Sequence, residues 1–180
     1  MVSVIVYDGI TMASDSQMTS NDGSIANCTM EKIFKVENGG GDLVGFIGGV
    51  GYYASIMAIM TTIKKLIRSS DLVIDDLYKT PNKILELLSD NQIQTLQANE
   101  SYEIILVSIK YPSVIYSFCE SLSCFKIKLD PKENYAIGSG KAIAMGALFM
   151  GANSVQAVEA AIKHNDGCSG VIQTLAIPDF

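Results

Sequence analysis

At 180 residues, with a net charge of −6 and a pI near 4.7, the chain has the size of one domain (1–180) and scattered basic residues. It lacks a basic patch that could track phosphates, any apolar run near the roughly 18–20 residues of a membrane span, and a secretory leader at Met-Val-Ser. The expectation is therefore a cytoplasmic protein with no nucleic acid and no membrane among its partners.

The first expected strand is Val2–Tyr7. Asp8-Gly9 follows as the dipeptide of a tight hairpin, both residues being expected at positive φ. Ile10–Ser14 returns as the second strand. Ile33–Val36 and Leu43–Ile47 form the next pair around the Gly39-Gly40-Gly41 loop. Tyr53, Ile56, Met57, Met60, Ile63 and Ile67 share one face of a helix over Tyr52–Ile67, with Lys64, Lys65 and Arg68 suited to its negative pole. Thr80-Pro81 opens a second helix, as cap and first helical position, that runs to about Gln97. Strands follow at Tyr102–Ile109, Ser113–Cys119 and Cys124–Lys128. Helices at Lys141–Gly151 and Ser154–His164 then precede a last strand, Val171–Ile177. Strands, two helices, strands, two helices and a strand make an α+β domain.

Cys28, Cys119, Cys124 and Cys168 form no CxxC pair and His164 is the one histidine, so no metal and no cofactor is expected, and the thiols are expected reduced. His164, Asp166 and Cys168 lie in one short stretch, whereas catalytic triads are assembled by the fold from distant positions. Met57, Met60, Met145 and Met150 lie in helices, where methionine fills core or interface gaps. Apolar residues are 48% of the chain and charged ones 18%, with mean hydropathy +0.28. That balance is rich for a monomer and points to apolar surface shared between subunits.

Five short blocks occur in a telling order: Asp15-Ser16 after the second strand, Lys32-Ile33, Gly45-Phe46-Ile47-Gly48-Gly49, Ile137-Gly138-Ser139-Gly140, and Asp166-Gly167-Cys168-Ser169-Gly170. Taken singly, Asp15 reads as a turn residue, Lys32 as a solvent-facing strand lysine, and the glycine blocks as ordinary turns. The series resembles the proteasome β-type subunits and the HslV peptidases, which carry an N-terminal-nucleophile hydrolase site. That resemblance implies a four-layer αββα sandwich, two antiparallel sheets between two helix layers.

The resemblance also implies roles. Asp15 and Lys32 would lower the pKa of the nucleophile, the Gly48 N–H would serve the oxyanion, and Ser139, Asp166 and Ser169 would surround the chain's amino end. Met18, Thr19, Met30 and Phe46 would line the substrate pocket, with Met18, Met30 and Phe46 giving it an apolar character. Implied partners are further copies of the chain in a ring or stacked rings, an ATP-dependent unfoldase, and peptide substrates where the site is active.

One element of the pattern is missing. The resemblance puts the nucleophile about sixteen positions before the aspartate, which falls ahead of Met1. Ser3 stands twelve before Asp15. At roughly 3.3 Å per strand residue, the four missing positions amount to about 13 Å, so Ser3 is expected out of contact. The reading is a self-assembling subunit that keeps the fold and has lost or altered its peptidase activity. Its rivals are an active peptidase with a different N-terminus and a purely structural or binding module.

Overall fold

The computed structural model describes residues 3–19, 24–25, 29–69, 73–79, 81–98, 101–119, 122–130 and 133–178. They form two compact units, Met1–Phe34 with Asp130–Phe180, and Lys35–Leu129. Cys28 and Thr80 lie outside the described residues.

The first unit is built on β1 (Val4–Tyr7) and β2 (Thr11–Ser14). Both are buried along almost their whole length, Thr11 alone being half-buried. Their pairing centres the turn on Gly9-Ile10, one residue later than expected. Asp8 N–H reaches Thr11 O at 3.3 Å, and Gly9 alone takes positive φ (94°), the first central place of a type II′ turn. Asp8 works through its side chain instead, accepting from the N–H groups of Ile10 and Thr11.

The four-stranded antiparallel sheet of this unit has the order β8-β1-β2-β9, where β8 is Tyr135–Gly138 and β9 is Gln173–Ala176. α4 (Lys141–Phe149) and α5 (Ser154–His164) pack on one face of it, enclosing Val4, Val6, Ala13, Ala136, Ala144, Leu148, Ala157, Val158 and Ala161. α5 starts where it does because Asn153 and Gln156 make a capping box (3.0 and 3.1 Å). Its first N–H, from Ser154, donates to Asp8 Oδ2 at 2.9 Å and ties the helix to the β1–β2 turn.

The second unit carries the sheet β3-β4-β5-β6-β7. β3 (Ile33–Glu37) brings the chain in, β4 (Leu43–Gly51) is longer than its expected apolar run, β5 (Tyr102–Ser108) returns antiparallel to β4 after the intervening helices, and β6 (Val114–Cys119) and β7 (Ser123–Lys128) follow by antiparallel hairpins. α1 (Tyr53–Arg68) covers β4 and β5 through Ile56, Ile59, Met60, Ile63, Leu66 and Ile67, while the expected core residue Tyr53 is exposed.

The second expected helix is two helices. α2 (Pro81–Glu86) ends before Leu87, and α3 (Asp90–Ala98) starts afresh. Ser89 and Gln92 exchange bonds at 2.9–3.4 Å in a Ser-x-x-Gln capping arrangement, so a helix start lies inside the run read as continuous. A 3₁₀ turn over Ile74–Lys79, unexpected from the sequence, buries Ile74 and Leu77.

Candidate active site

Asp15 follows β2 directly and is fully buried; Ser3 immediately precedes β1 and is 2% exposed. The hairpin register places them together: Ile5 pairs with Ser14, and Asp15 N–H continues the ladder to Val4 O. Ser3 Oγ donates to Asp15 Oδ1 at 2.7 Å and accepts from Lys32 Nζ at 2.6 Å, and Lys32 Nζ lies 2.9 Å from the same carboxylate oxygen.

The expectation that Ser3 is out of reach is therefore wrong, and the reason is geometric. Distance along a strand is not distance across a hairpin. Removing two residues from each strand shortens the spacing by four and leaves the cross-strand partners and the pleat phase unchanged.

The Asp15 carboxylate accepts from five donors. Besides Ser3 Oγ and Lys32 Nζ these are Val4 N–H at 2.9 Å, Gln17 N–H at 3.2 Å and Ser169 N–H at 3.3 Å. Such saturation is what a buried carboxylate requires, since each unmet lone pair carries a desolvation cost. Lys32 is 4% exposed. Burial pushes its amine below the ordinary lysine value, and the charge and hydrogen bond of Asp15 pull it back up.

Ser139 closes the site from the β8–α4 turn. Ser3 N–H donates to Ser139 Oγ at 3.1 Å, and Ser139 Oγ and Gly140 N–H donate to Ser3 O at 3.3 and 3.2 Å. The flanking glycines make that approach possible. A Cβ on Gly138, which has φ 94°, would collide with Ser3 O, and one on Gly140 would lie 2.8 Å from Cys168 Sγ and 2.9 Å from Val4 Cβ.

Two long-range contacts had no signal in the sequence. Gln173, on β9, accepts from Lys32 N–H at 3.0 Å and from Ser14 Oγ at 3.3 Å, and donates through Nε2 to Met30 O at 2.8 Å. Its amide thus acts as a substitute strand that clamps the segment carrying Lys32. Asn165, the residue after α5, donates through Nδ2 to Ser139 O at 2.9 Å.

The other expected residues are distributed differently. Asp166 is exposed and meets its surroundings through its backbone carbonyl, which accepts from Gln17 Nε2 at 3.4 Å; its carboxylate has no hydrogen bond or ion pair among the described residues. Ser169 contributes backbone groups, its N–H to Asp15 and its carbonyl to Ser16 N–H. Met18, Thr19 and Met30 are half-buried in the first unit, with Thr19 Oγ1 accepting from Gln17 Nε2 and Met30 N–H donating to Ser16 O.

Phe46 and Gly48 belong to the second unit, on β4 opposite Val107 and Ile105. Phe46 is 0% exposed, a core side chain with no surface left to line an open pocket.

Cys168 is a buried thiol beside Ser139. Burial, and then the Asp15 charge, push it up to about 11, so it is no nucleophile near neutral pH. His164 is exposed on the last turn of α5. Among the described residues no three His, Cys, Asp or Glu side chains converge as a metal site would need, and no helix is long and apolar enough to cross a membrane.

A hydroxyl held between an ammonium and a carboxylate, with a backbone nitrogen of the same residue held by a second hydroxyl, is an arrangement that can activate an alcohol as a nucleophile. No protein-family profile matches the chain, and no curated protein matches it by sequence. Solved structures do. HslV from Trypanosoma brucei superposes with a TM-score of 0.66 at 17% identity, over 98% of this chain and 99% of that one. The helical assembly of the Anbu complex from Pseudomonas aeruginosa gives 0.69 at 15%, over 98% and 80%. Thiobacillus denitrificans BPH in complex with epoxomicin gives 0.60 at 15%, over 99% and 100%. The fold is thus the HslV- and proteasome-like N-terminal-nucleophile hydrolase fold.

Proposed function

We propose that this chain is a subunit of a proteasome-like peptide hydrolase in which Ser3 is the nucleophile and is silent until the peptide bond before it is cut. The observation that carries this is the buried Ser3 hydroxyl, 2.6 Å from Lys32 Nζ and 2.7 Å from Asp15 Oδ1. While Val2 remains joined, the nitrogen of Ser3 is an amide and cannot take a proton. Once free, an α-amino group titrates near 8 and accepts the hydroxyl proton as Oγ attacks a peptide carbonyl. The same proton then passes to the leaving amine, and water hydrolyses the resulting ester. The Lys32 ammonium favours the alkoxide throughout. This reading replaces the expected loss of activity, which rested on Ser3 being out of reach.

The test compares two forms of the protein, one opening at Ser3 after removal of a directly preceding initiator methionine and one retaining Val2. The first should hydrolyse fluorogenic peptides with the rate proportional to protein, and the second should stay at background. Background rates from both would support the structural-module reading instead.

Assembly into a homo-oligomer is the second part of the proposal. α4 contains no charged residue after Lys141, buries only Ala144 and Leu148, and ends on Phe149 with Met150 as its cap, which are 89% and 82% exposed. A neighbouring copy would cover such a surface. Light scattering at micromolar concentration should show a mass several times 19.4 kDa, and a monomer alone would refute it. An ATP-dependent unfoldase as partner rests on the family resemblance alone.

A further inference from the structure

Ser139 can hold the Ser3 nitrogen only if the β8–α4 turn is itself fixed, and the bond that fixes its carbonyl comes from the end of α5. Asn165 is locked in three ways: its N–H donates to Ala161 O at 2.9 Å, its Oδ1 accepts from Gly167 N–H at 2.7 Å, and its Nδ2 donates to Ser139 O at 2.9 Å. The side-chain amide therefore uses its acceptor on the loop and its donor on the serine turn. Asp166, one residue on, is exposed and offers the cluster only a backbone carbonyl.

We infer that Asn165, not the Asp166 carboxylate, is the positioning residue that sets Ser139 against the nitrogen of Ser3. This inference rests on Ser3 being the nucleophile for its kinetic consequences, but not for its structural ones. Asn165 acts through Ser139, which contacts the Ser3 nitrogen rather than a substrate group, so its loss should lower kcat and leave KM in place. Misplacing a catalytic group by a fraction of an ångström costs on the order of tenfold in rate.

Two variants separate the candidates. Asn165→Asp keeps the acceptor for Gly167 N–H and sets an oxygen against Ser139 O. Asp166→Asn keeps the shape and removes the charge. In the form opening at Ser3, Asn165→Asp should lower kcat about tenfold or more with KM unchanged, and Asp166→Asn should leave both within about twofold. In the form retaining Val2, amide hydrogen exchange at Ser3, read by NMR, should speed up about tenfold in Asn165→Asp and not in Asp166→Asn.

The exchange experiment needs no activity. If the parent opening at Ser3 does not hydrolyse peptides, the functional reading fails while exchange still decides the positioning role. Unchanged Ser3 exchange in Asn165→Asp, or faster exchange in Asp166→Asn, would overturn the inference. So would a change confined to KM.

Discussion

Replacing Asp15 with leucine is expected to lower the stability of the fold by about 3–5 kcal/mol, read as a shift of the urea midpoint at constant m-value. The carboxylate is 0% exposed and satisfies five donors, among them an ammonium that is itself 4% exposed. Deleting it strands a buried cation, a penalty much larger than the net worth of the pair. The double variant Asp15→Leu with Lys32→Met should recover much of the loss, because two partners removed together leave no uncompensated charge. A single variant within about 1 kcal/mol of the parent, or a double variant no better than the single, would show that the pair is not coupled as described.

The second large effect concerns chemistry. In the form opening at Ser3, Ser3→Ala should reduce peptide hydrolysis by a factor on the order of 10⁴ or to background, since the groups of such a site act as a unit. Its stability should fall by about 2–4 kcal/mol, the worth of two buried hydrogen bonds to the charged groups of Lys32 and Asp15. Ser3→Thr should retain activity, because the hydroxyl and its nitrogen stay in place. Residual turnover in Ser3→Ala within tenfold of the parent would assign the reaction elsewhere.

The parts of the fold legible in the sequence are those fixed by local pattern. The apolar run of β1, the α1 stripe of Ile56, Met60, Ile63 and Ile67, and the bounds of α5 are all local signals. The break between α2 and α3 is marked by Ser89-x-x-Gln92, but the Leu and Ile spacing across it favours one continuous helix. Phe46, expected at a pocket, is core because β4 extends to Gly51 and is buried through most of its length.

The site divides the same way. Asp15, Lys32, Ser139 and Ser169 stand in recognisable blocks. Gln173 and Asn165 stand in none: their partners lie 141 and 26 residues away, and only the folded unit brings them together. Counting residues along the chain puts Ser3 out of reach, whereas register across the hairpin sets its distance from Asp15. A symmetric shortening of both strands changes the count along the chain and is neutral to the pairing.

Intact-mass and peptide-mapping mass spectrometry after incubation with epoxomicin tests the central claim most directly. The epoxyketone is captured by a hydroxyl and a free α-amine on one residue, and epoxomicin is the compound bound to Thiobacillus denitrificans BPH in its solved complex. The account predicts one equivalent of adduct on Ser3 in the protein opening at Ser3, none in the form retaining Val2, and none in Ser3→Ala. An adduct on another residue, or none on the protein opening at Ser3 despite an intact fold, would contradict it.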